Sequence, residues 1–338
     1  MTTATGLGPA DVGAAAERIA GHVLRTPLLP APPVLPGLLL KAEHLQYGGS
    51  FKLRGAANAV LALGARRIVT GSSGNHGIAL AGLAAGLGIR LTVVMAAGAN
   101  PAKAALIQAL GAHTLAVAGG VAEREERARS LARETGAVFV PSSDDALVVA
   151  GQGTVGGEIL TQAPDLDTVY VPTGGGGLLA GVCLAAQGHP VRVVGVEPAA
   201  AARYARSLAA GRPVRLPPSS TVADGLRGQQ PGAVTYPIIR DRVDDLVAVD
   251  DTDILAAAAL LGRYGIEAEP SGAVALAGVL VAGHRGRAVA IVSGGNTTAA
   301  LSAAAARSHP GAHRDPPTGS HPDSHHVTPL DSRLKEIS

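Results

Sequence analysis

"RIVTGSSGNHGIALAGLAAGLGIRLTVVMA", Arg67 to Ala96, reads as strand, glycine turn, helix and strand. "RIVT" is a short apolar run, "NHGIALAGLAAGLG" is a small-residue helix closed by Gly88, and "RLTVVMA" is a strand again. The cycle continues. "NPAKAALIQALG" has Pro101 just inside a helix start and Gly111 just past its end. "HTLAVA", "VAEREERARSLARETG" and "AVFV" complete another round. Strands alternating with helices predict parallel pairing through right-handed crossovers. Residues 67–142 are therefore expected to form a small inserted α/β domain.

A second alternating series follows. "DTVYVP", "VRVVGVEP", "DDLVAV" and "RAVAIVSG" are strands, separated by helices in "AAAARYARSLAAG", "TDILAAAALLGRYG" and "SGAVALAGVLVAG". With "GLLLKAEHLQ", the clearest strand before Arg66, they predict a larger domain from residues 1–66 and 143–307. The expected fold class is α/β: two domains, each a mainly parallel sheet flanked by helices, with the active site in the cleft between them. Residues 308–338 are rich in Pro, Ser and Asp, hold five of the eleven histidines, and lack apolar periodicity. They read as a disordered tail.

Composition narrows the function. The 338 residues are 47% hydrophobic but only 2% aromatic, without Trp, so the bulk is Ala, Val, Leu and Gly. That suits close helix–sheet packing. A net charge of +2 gives no footprint for nucleic acid. Cys183 is the single cysteine, which rules out an intramolecular disulfide and argues against a Cys-based metal site. The start, "MTTATGLGPADVGAAAERIAG", has no basic segment followed by an apolar run, so no signal peptide is expected. The uncharged window Thr168–Gln187 contains Pro172 and four consecutive glycines, and reads as strand, loop and helix start, not a membrane span. A soluble cytoplasmic protein is expected.

The 28 basic residues comprise 24 Arg and four Lys: Lys41, Lys52, Lys103 and Lys335. In a chain this biased toward Arg, a retained Lys suggests that an amine is needed. Lys52 lies in "GGSFKLRG" at an apparent helix start, where a cation is disfavoured and its pKa is lowered. A neutral amine can form an imine, whereas Arg cannot be deprotonated. Taken alone, Lys52 reads better as a solvated charge.

Three other loops share its place, each after a strand and before a helix. Ligands collect at such carboxyl ends of parallel strands. In "PTGGGGLLAG", Gly174 to Gly177 let several N–H groups converge on one anion, and the helix start at Leu178 adds its partial charge. A tight turn alone needs fewer glycines, so the reading favours a phosphate. The spacing is neither a Walker A loop nor a dinucleotide fingerprint. In "TGSSGNHG", the hydroxyls of Ser72 and Ser73, Gly74, Asn75 and His76 suit a carboxylate. An N-cap would account for one of them. His76 reads as a base or as a structural hydrogen-bonding group. "VSGGNTT" supplies Ser293. An amine, a phosphate cradle and a carboxylate loop together describe pyridoxal 5′-phosphate acting on an amino acid.

The motifs "SFKLRGAANAV", "SSGNHGIALA", "AGQGTVGGEIL", "VPTGGGGLLAG", "TVADGL", "EPSGAVALAG" and "VSGGN" resemble the fold-type II pyridoxal-phosphate enzymes, and within them the serine/threonine dehydratase and serine racemase group. The resemblance runs in order from Arg25 to about Thr297. It implies that Lys52 carries the cofactor as a Schiff base, with Phe51 beside it. It also implies that Asn75 faces the ring hydroxyl, Gly174, Gly175, Gly176, Gly177 and the Leu178 N–H hold the phosphate, and Ser293 meets the ring nitrogen. Substrate is expected on Ser72, Ser73, Gly74, Asn75 and His76. The reaction implied is β-elimination of a hydroxy amino acid to a 2-oxo acid and ammonia, with Lys52 as base and the cofactor phosphate as acid for the departing hydroxyl.

In racemases of this group a serine matching Ser73 exchanges the proton on the face opposite the lysine, and many anabolic threonine dehydratases have Ala there. Racemisation and threo-3-hydroxyaspartate dehydration thus stay open, as does a lyase or synthase acting on another β-substituted amino acid. A binder of phosphate ligands without chemistry is the distant alternative. Racemase-like members bind a divalent cation through a Glu, a carbonyl and an Asp. Here Glu197 and Ala201 match, but Arg203 stands in place of the Asp, so no metal is expected. Arg203 is expected to replace the ion by a salt bridge to Glu197. No feedback-binding domain is expected from the short tail. The family implies a homodimer.

Overall fold

A computed structural model describes residues 6–301. The expected tail, residues 308–338, lies outside the described residues. Among the described residues ten strands form two sheets. The larger contains β1 (Leu28–Pro30), β2 (Leu38–Lys41), β7 (Thr168–Pro172), β8 (Arg192–Pro198), β9 (Asp245–Val249) and β10 (Ala288–Ile291), in the order β1-β2-β10-β7-β8-β9. The smaller contains β3 (Arg67–Gly71), β4 (Arg90–Ala96), β5 (His113–Val117) and β6 (Val138–Phe139), in the order β5-β4-β3-β6.

Every pair in the smaller sheet is parallel, and in the larger only β1 pairs antiparallel, with β2. β7 and β10 are buried along their whole length. That is why "TVYVP" and "AVAI" run apolar without alternating: parallel strands covered on both faces have no solvent side. β9 sits at an edge, with only its last residue buried, in keeping with the acidic start of "DDLVAV".

Helices cover both sheets among the described residues. α1 (Pro9–Ile19), α2 (Lys52–Leu63), α6 (Ala146–Gln162), α7 (Gly177–Ala185), α8 (Arg203–Ala209) and α9 (Thr235–Arg242) are joined by α10 (Asp251–Arg263) and α11 (Pro270–Ala282). α3 (Asn75–Leu87), α4 (Pro101–Ala109) and α5 (Val121–Thr135) lie between the strands of the smaller sheet. The punctuation acts locally as read. The Asn100 side chain accepts from the N–H groups of Ala102 and Lys103 to start α4, and Gly88 and Gly136 end α3 and α5 at φ 65. One expected helix is split: "AAAARYARSLAAG" makes a 3-10 turn at Ala199–Ala201 before α8 begins at Arg203.

Small residues set the helix spacing around α6. A methyl group added at Gly151 would lie 2.6 Å from the Arg54 carbonyl of α2, and one at Gly153 would lie 2.7 Å from the Gly181 carbonyl of α7. The helices therefore touch backbone to backbone, and α2, which carries Lys52, is fixed by that contact. Gly157 on the same helix has nothing within 4 Å of such a methyl. Gly153→Ala is expected to cost about 1–3 kcal/mol through overpacking. Gly157→Ala should be neutral or gain up to about 1 kcal/mol from helix propensity. Urea unfolding of the two variants checks this, and equal effects would contradict it.

Candidate active site

The chain turns into the site through Gly48 and Gly49, at φ 71 and 70. Ser50 then forms a lone antiparallel bridge with Gly294, and the Phe51 N–H donates to the Ser293 carbonyl at 3.1 Å. α2 begins at the next residue, Lys52. Its Nζ donates to the Ser142 carbonyl at 2.8 Å and lies 5.0 Å from the Phe51 ring centroid. No carboxylate pairs with it among the described residues, and burial pushes its pKa down to about 8.

The other described lysines are also withdrawn from water, but with their donors occupied. Lys41 Nζ donates to the Thr26 carbonyl, Glu158 and Gln162 at 2.7, 2.6 and 3.0 Å, which uses all three of its hydrogens. Lys103 on α4 pairs with Asp224 at 2.9 Å and Glu269 at 3.0 Å, and those two carboxylates hold its pKa above the usual value. Lys52 is the described lysine whose amine is both desolvated and left with unfilled donors.

The glycine loop follows β7. Gly176 takes φ 86, which a side chain would resist, and added methyls at Gly175 and Gly177 would crowd Ser143. Ser142 and Ser143 thus bring the Lys52 amine and the glycine loop onto one two-residue segment. α7 starts at Gly177 with no side chain capping its first N–H groups, and Leu178 is buried in its first turn. Those uncapped donors, with the dipole behind them, suit an anion.

The loop after β3 behaves less uniformly than its sequence suggests. The Ser72 hydroxyl turns inward and accepts from the N–H groups of Gly74 and Gly77 at 3.4 and 3.3 Å. Ser73 is half-buried, and its hydroxyl makes no hydrogen bond among the described residues. α3 begins at Asn75 with Gly74 as an N-cap that offers no side chain. The Asn75 side chain donates to Glu269 and accepts from Asn296 at 3.0 Å. His76 is buried with Nε2 3.2 Å from the Val140 carbonyl. Burial, then the Lys52 charge, pushes its pKa down to about 3, so it is neutral and serves poorly as a base near pH 7.

The expected Glu197–Arg203 salt bridge does not form. The Glu197 carboxylate accepts from the N–H groups of Tyr204 and Ala205 at 3.0 and 2.9 Å, in the first turn of α8. With that carboxylate engaged, the fully buried Arg203 guanidinium donates instead to the carbonyls of Gly174 and Leu226.

Some of the site escaped the sequence reading. Lys103 stood out only as a rare lysine, and Asp224, Glu269 and Asn296 only as letters within motifs. Together they tie α4, which follows β4 of the smaller sheet, to the start of α11 and to Asn75. Arg124 on α5 gave no local signal.

The surroundings of Lys52 and the glycine loop fit a polar ligand carrying an anion. Ser50 Oγ, His76 Nδ1 and Arg124 Nε are buried without partners, and the glycine loop is a cradle that side chains would fill. Ser293 is buried nearby, its hydroxyl 3.4 Å from the Ser271 carbonyl. Among the described residues no helix is long and apolar enough to cross a membrane.

A family model described as "Pyridoxal-phosphate dependent enzyme" matches residues 19–286. The L-threonine ammonia-lyase of Geobacter sulfurreducens is 41% identical over 269 residues, 77% of this chain and 67% of that one. The serine racemase of Arabidopsis thaliana is 38% identical over 275 residues, 78% of this chain and 83% of that one. Among solved structures, a threonine deaminase from T.th. superimposes with a TM-score of 0.82 at 44% identity, covering 86% of this chain and 99% of that one.

Two outcomes follow from the geometry. In cofactor-free protein, the rate at which an amine-directed reagent modifies Lys52 should rise with a midpoint near pH 8, not near the ~10.4 of an ordinary lysine. Mass spectrometry of the Lys52 peptide reads this, and a midpoint of about 10 would contradict a desolvated amine. Lys103→Met strands a buried Glu269 and a partly exposed Asp224. It should destabilise the fold by about 3 kcal/mol in urea unfolding.

Proposed function

The chain belongs to the family of pyridoxal-phosphate dependent enzymes, and we propose that it is a serine/threonine dehydratase, an ammonia-lyase that converts a β-hydroxy amino acid to a 2-oxo acid and ammonia. One observation carries the reading: a desolvated Lys52 amine and an anion-ready glycine loop meet on Ser142–Ser143. Residues 67–142 serve as the small domain, and residues 1–66 with 143–307 as the cofactor-binding one.

Lys52 holds the cofactor's aldehyde end, Gly174–Gly177 and the Leu178 N–H its phosphate, and Asn75, Ser293 and Phe51 its ring. Bound there, pyridoxal phosphate supplies an electron-withdrawing ring that acidifies the Cα–H bond of an amino acid. The substrate carboxylate sits on the uncapped start of α3, at Ser73, Gly74 and Asn75, with Ser72 bracing that turn from inside. Neutral His76 helps to shape this wall and moves no proton. Lys52 takes the Cα proton, because a pKa near 8 leaves an appreciable fraction of its amine neutral at physiological pH. Ser293 offers a neutral hydroxyl where a carboxylate would hold a proton, which favours prompt loss of the β-hydroxyl.

A second reading has its own observation. The Ser73 hydroxyl, on the loop after β3, makes no hydrogen bond among the described residues and is read here as the group that returns a proton from the face opposite Lys52. That is the arrangement a racemase uses.

The test is incubation of the pyridoxal-phosphate-loaded protein with L-Ser, D-Ser, L-Thr and L-threo-3-hydroxyaspartate, measuring 2-oxo acid and the opposite enantiomer. We expect 2-oxo acid from L-Ser and L-Thr, lost in Lys52→Ala. Ser73→Ala should retain elimination from the L-substrates and lose any racemisation. A colourless protein that takes up no pyridoxal phosphate would sink the reading. The protein should run at twice the chain mass, as a cytoplasmic homodimer. A chelator should leave activity unchanged, since Arg203 stands where a cation ligand would be needed.

A further inference from the structure

Arg203 and Tyr204 are adjacent, fully buried, and both face the back of the glycine loop. The Arg203 guanidinium donates to the Gly174 carbonyl. The Tyr204 hydroxyl donates to the Gly175 carbonyl at 3.0 Å, and the Thr235 hydroxyl adds a 3.3 Å bond to the same oxygen. Two consecutive peptides are thus held by their oxygens from one side.

A trans peptide points its N–H opposite to its C=O, and the described chain has no cis bonds. The N–H groups that belong to these peptides, those of Gly175 and Gly176, therefore point away from Arg203 and Tyr204. Neither donates a hydrogen bond among the described residues. A flexible glycine loop has no intrinsic reason to present two free donors together; here the carbonyl anchors impose it. An added methyl at Gly176 would collide with the Tyr204 hydroxyl, so that glycine and that tyrosine fit as a pair.

The charge has its own role. Arg203 is in no ion pair among the described residues, because Glu197 is engaged by backbone N–H groups. A guanidinium stays protonated even when buried. Its second arm donates to the Leu226 carbonyl, which ties the loop to the turn at Asp224–Leu226. A fixed positive charge therefore stands directly behind the anion cradle.

We propose that Arg203 and Tyr204 are positioning residues for phosphate binding: they anchor the Gly174 and Gly175 carbonyls so that the Gly175 and Gly176 N–H groups are aimed at the anion, with the Arg203 charge behind them. The proposal rests on the glycine loop receiving the phosphate of pyridoxal phosphate.

The test compares two aldehydes, pyridoxal phosphate and pyridoxal, which lacks the phosphate. Each is titrated by absorbance into the cofactor-free full chain of the wild type, Arg203→Met and Tyr204→Phe. Tyr204→Phe keeps the ring packing and guards against a misfolded Arg203 variant. Each substitution should weaken pyridoxal phosphate about tenfold, as loss of a buried hydrogen-bond donor predicts, and leave pyridoxal affinity unchanged. Inorganic phosphate should compete with pyridoxal phosphate more weakly in the variants than in the wild type. Equal losses for both aldehydes, or no loss for either, would overturn the assignment to Arg203 and Tyr204. A wild type that binds the two aldehydes equally would overturn the phosphate reading of the loop, and this proposal with it.

Discussion

The amine of Lys52 is withdrawn from water with no carboxylate to neutralise it, and much of the site exists to make that tolerable. Desolvation without a counter-charge favours the neutral form, which is the form that can act as nucleophile and base. A carboxylate beside it would undo the effect, as Lys103 shows: buried more deeply, it is held charged by Asp224 and Glu269. The chain keeps its acidic groups off Lys52 and uses them to hold the framework.

That framework is polar as well as apolar. Two residues past Lys52, Arg54 donates to Glu43 and Glu158, and Lys41 joins the same network from β2. Such a network is costly to bury, so its members must all be satisfied at once. Satisfying them fixes α2 against α6 and β2, and with it the direction in which Lys52 leaves the helix. Lys103 and Glu269 do the corresponding work between α4 and α11, since Glu269 also holds the Asn75 side chain.

The glycine loop follows a related logic. Its residues give freedom, and freedom alone would leave the donors scattered. Order comes from neighbours that hold the carbonyls from behind and from Ser143 packed against Gly175 and Gly177. Glycine makes the conformation available, and the surrounding side chains select it.

The amino-acid sequence alone determined the alternation of strands and helices, the places of the glycine loops, and Lys52 as the amine to watch. These are local properties: apolar period, helix caps, turn residues and composition are written in neighbouring letters. The tertiary structure decided the pairings. Glu197 commits its carboxylate to the start of α8 instead of to Arg203, Ser72 turns into its own loop, and His76 is held neutral by burial and the charge of Lys52. Lys103 meets Glu269 across 166 residues of chain and Lys52 meets Ser142 across 90. No spacing rule reaches that far. Whether a lysine is a base or a clamp depends on which carboxylates the folded chain brings to it, and a single sequence does not carry that distance.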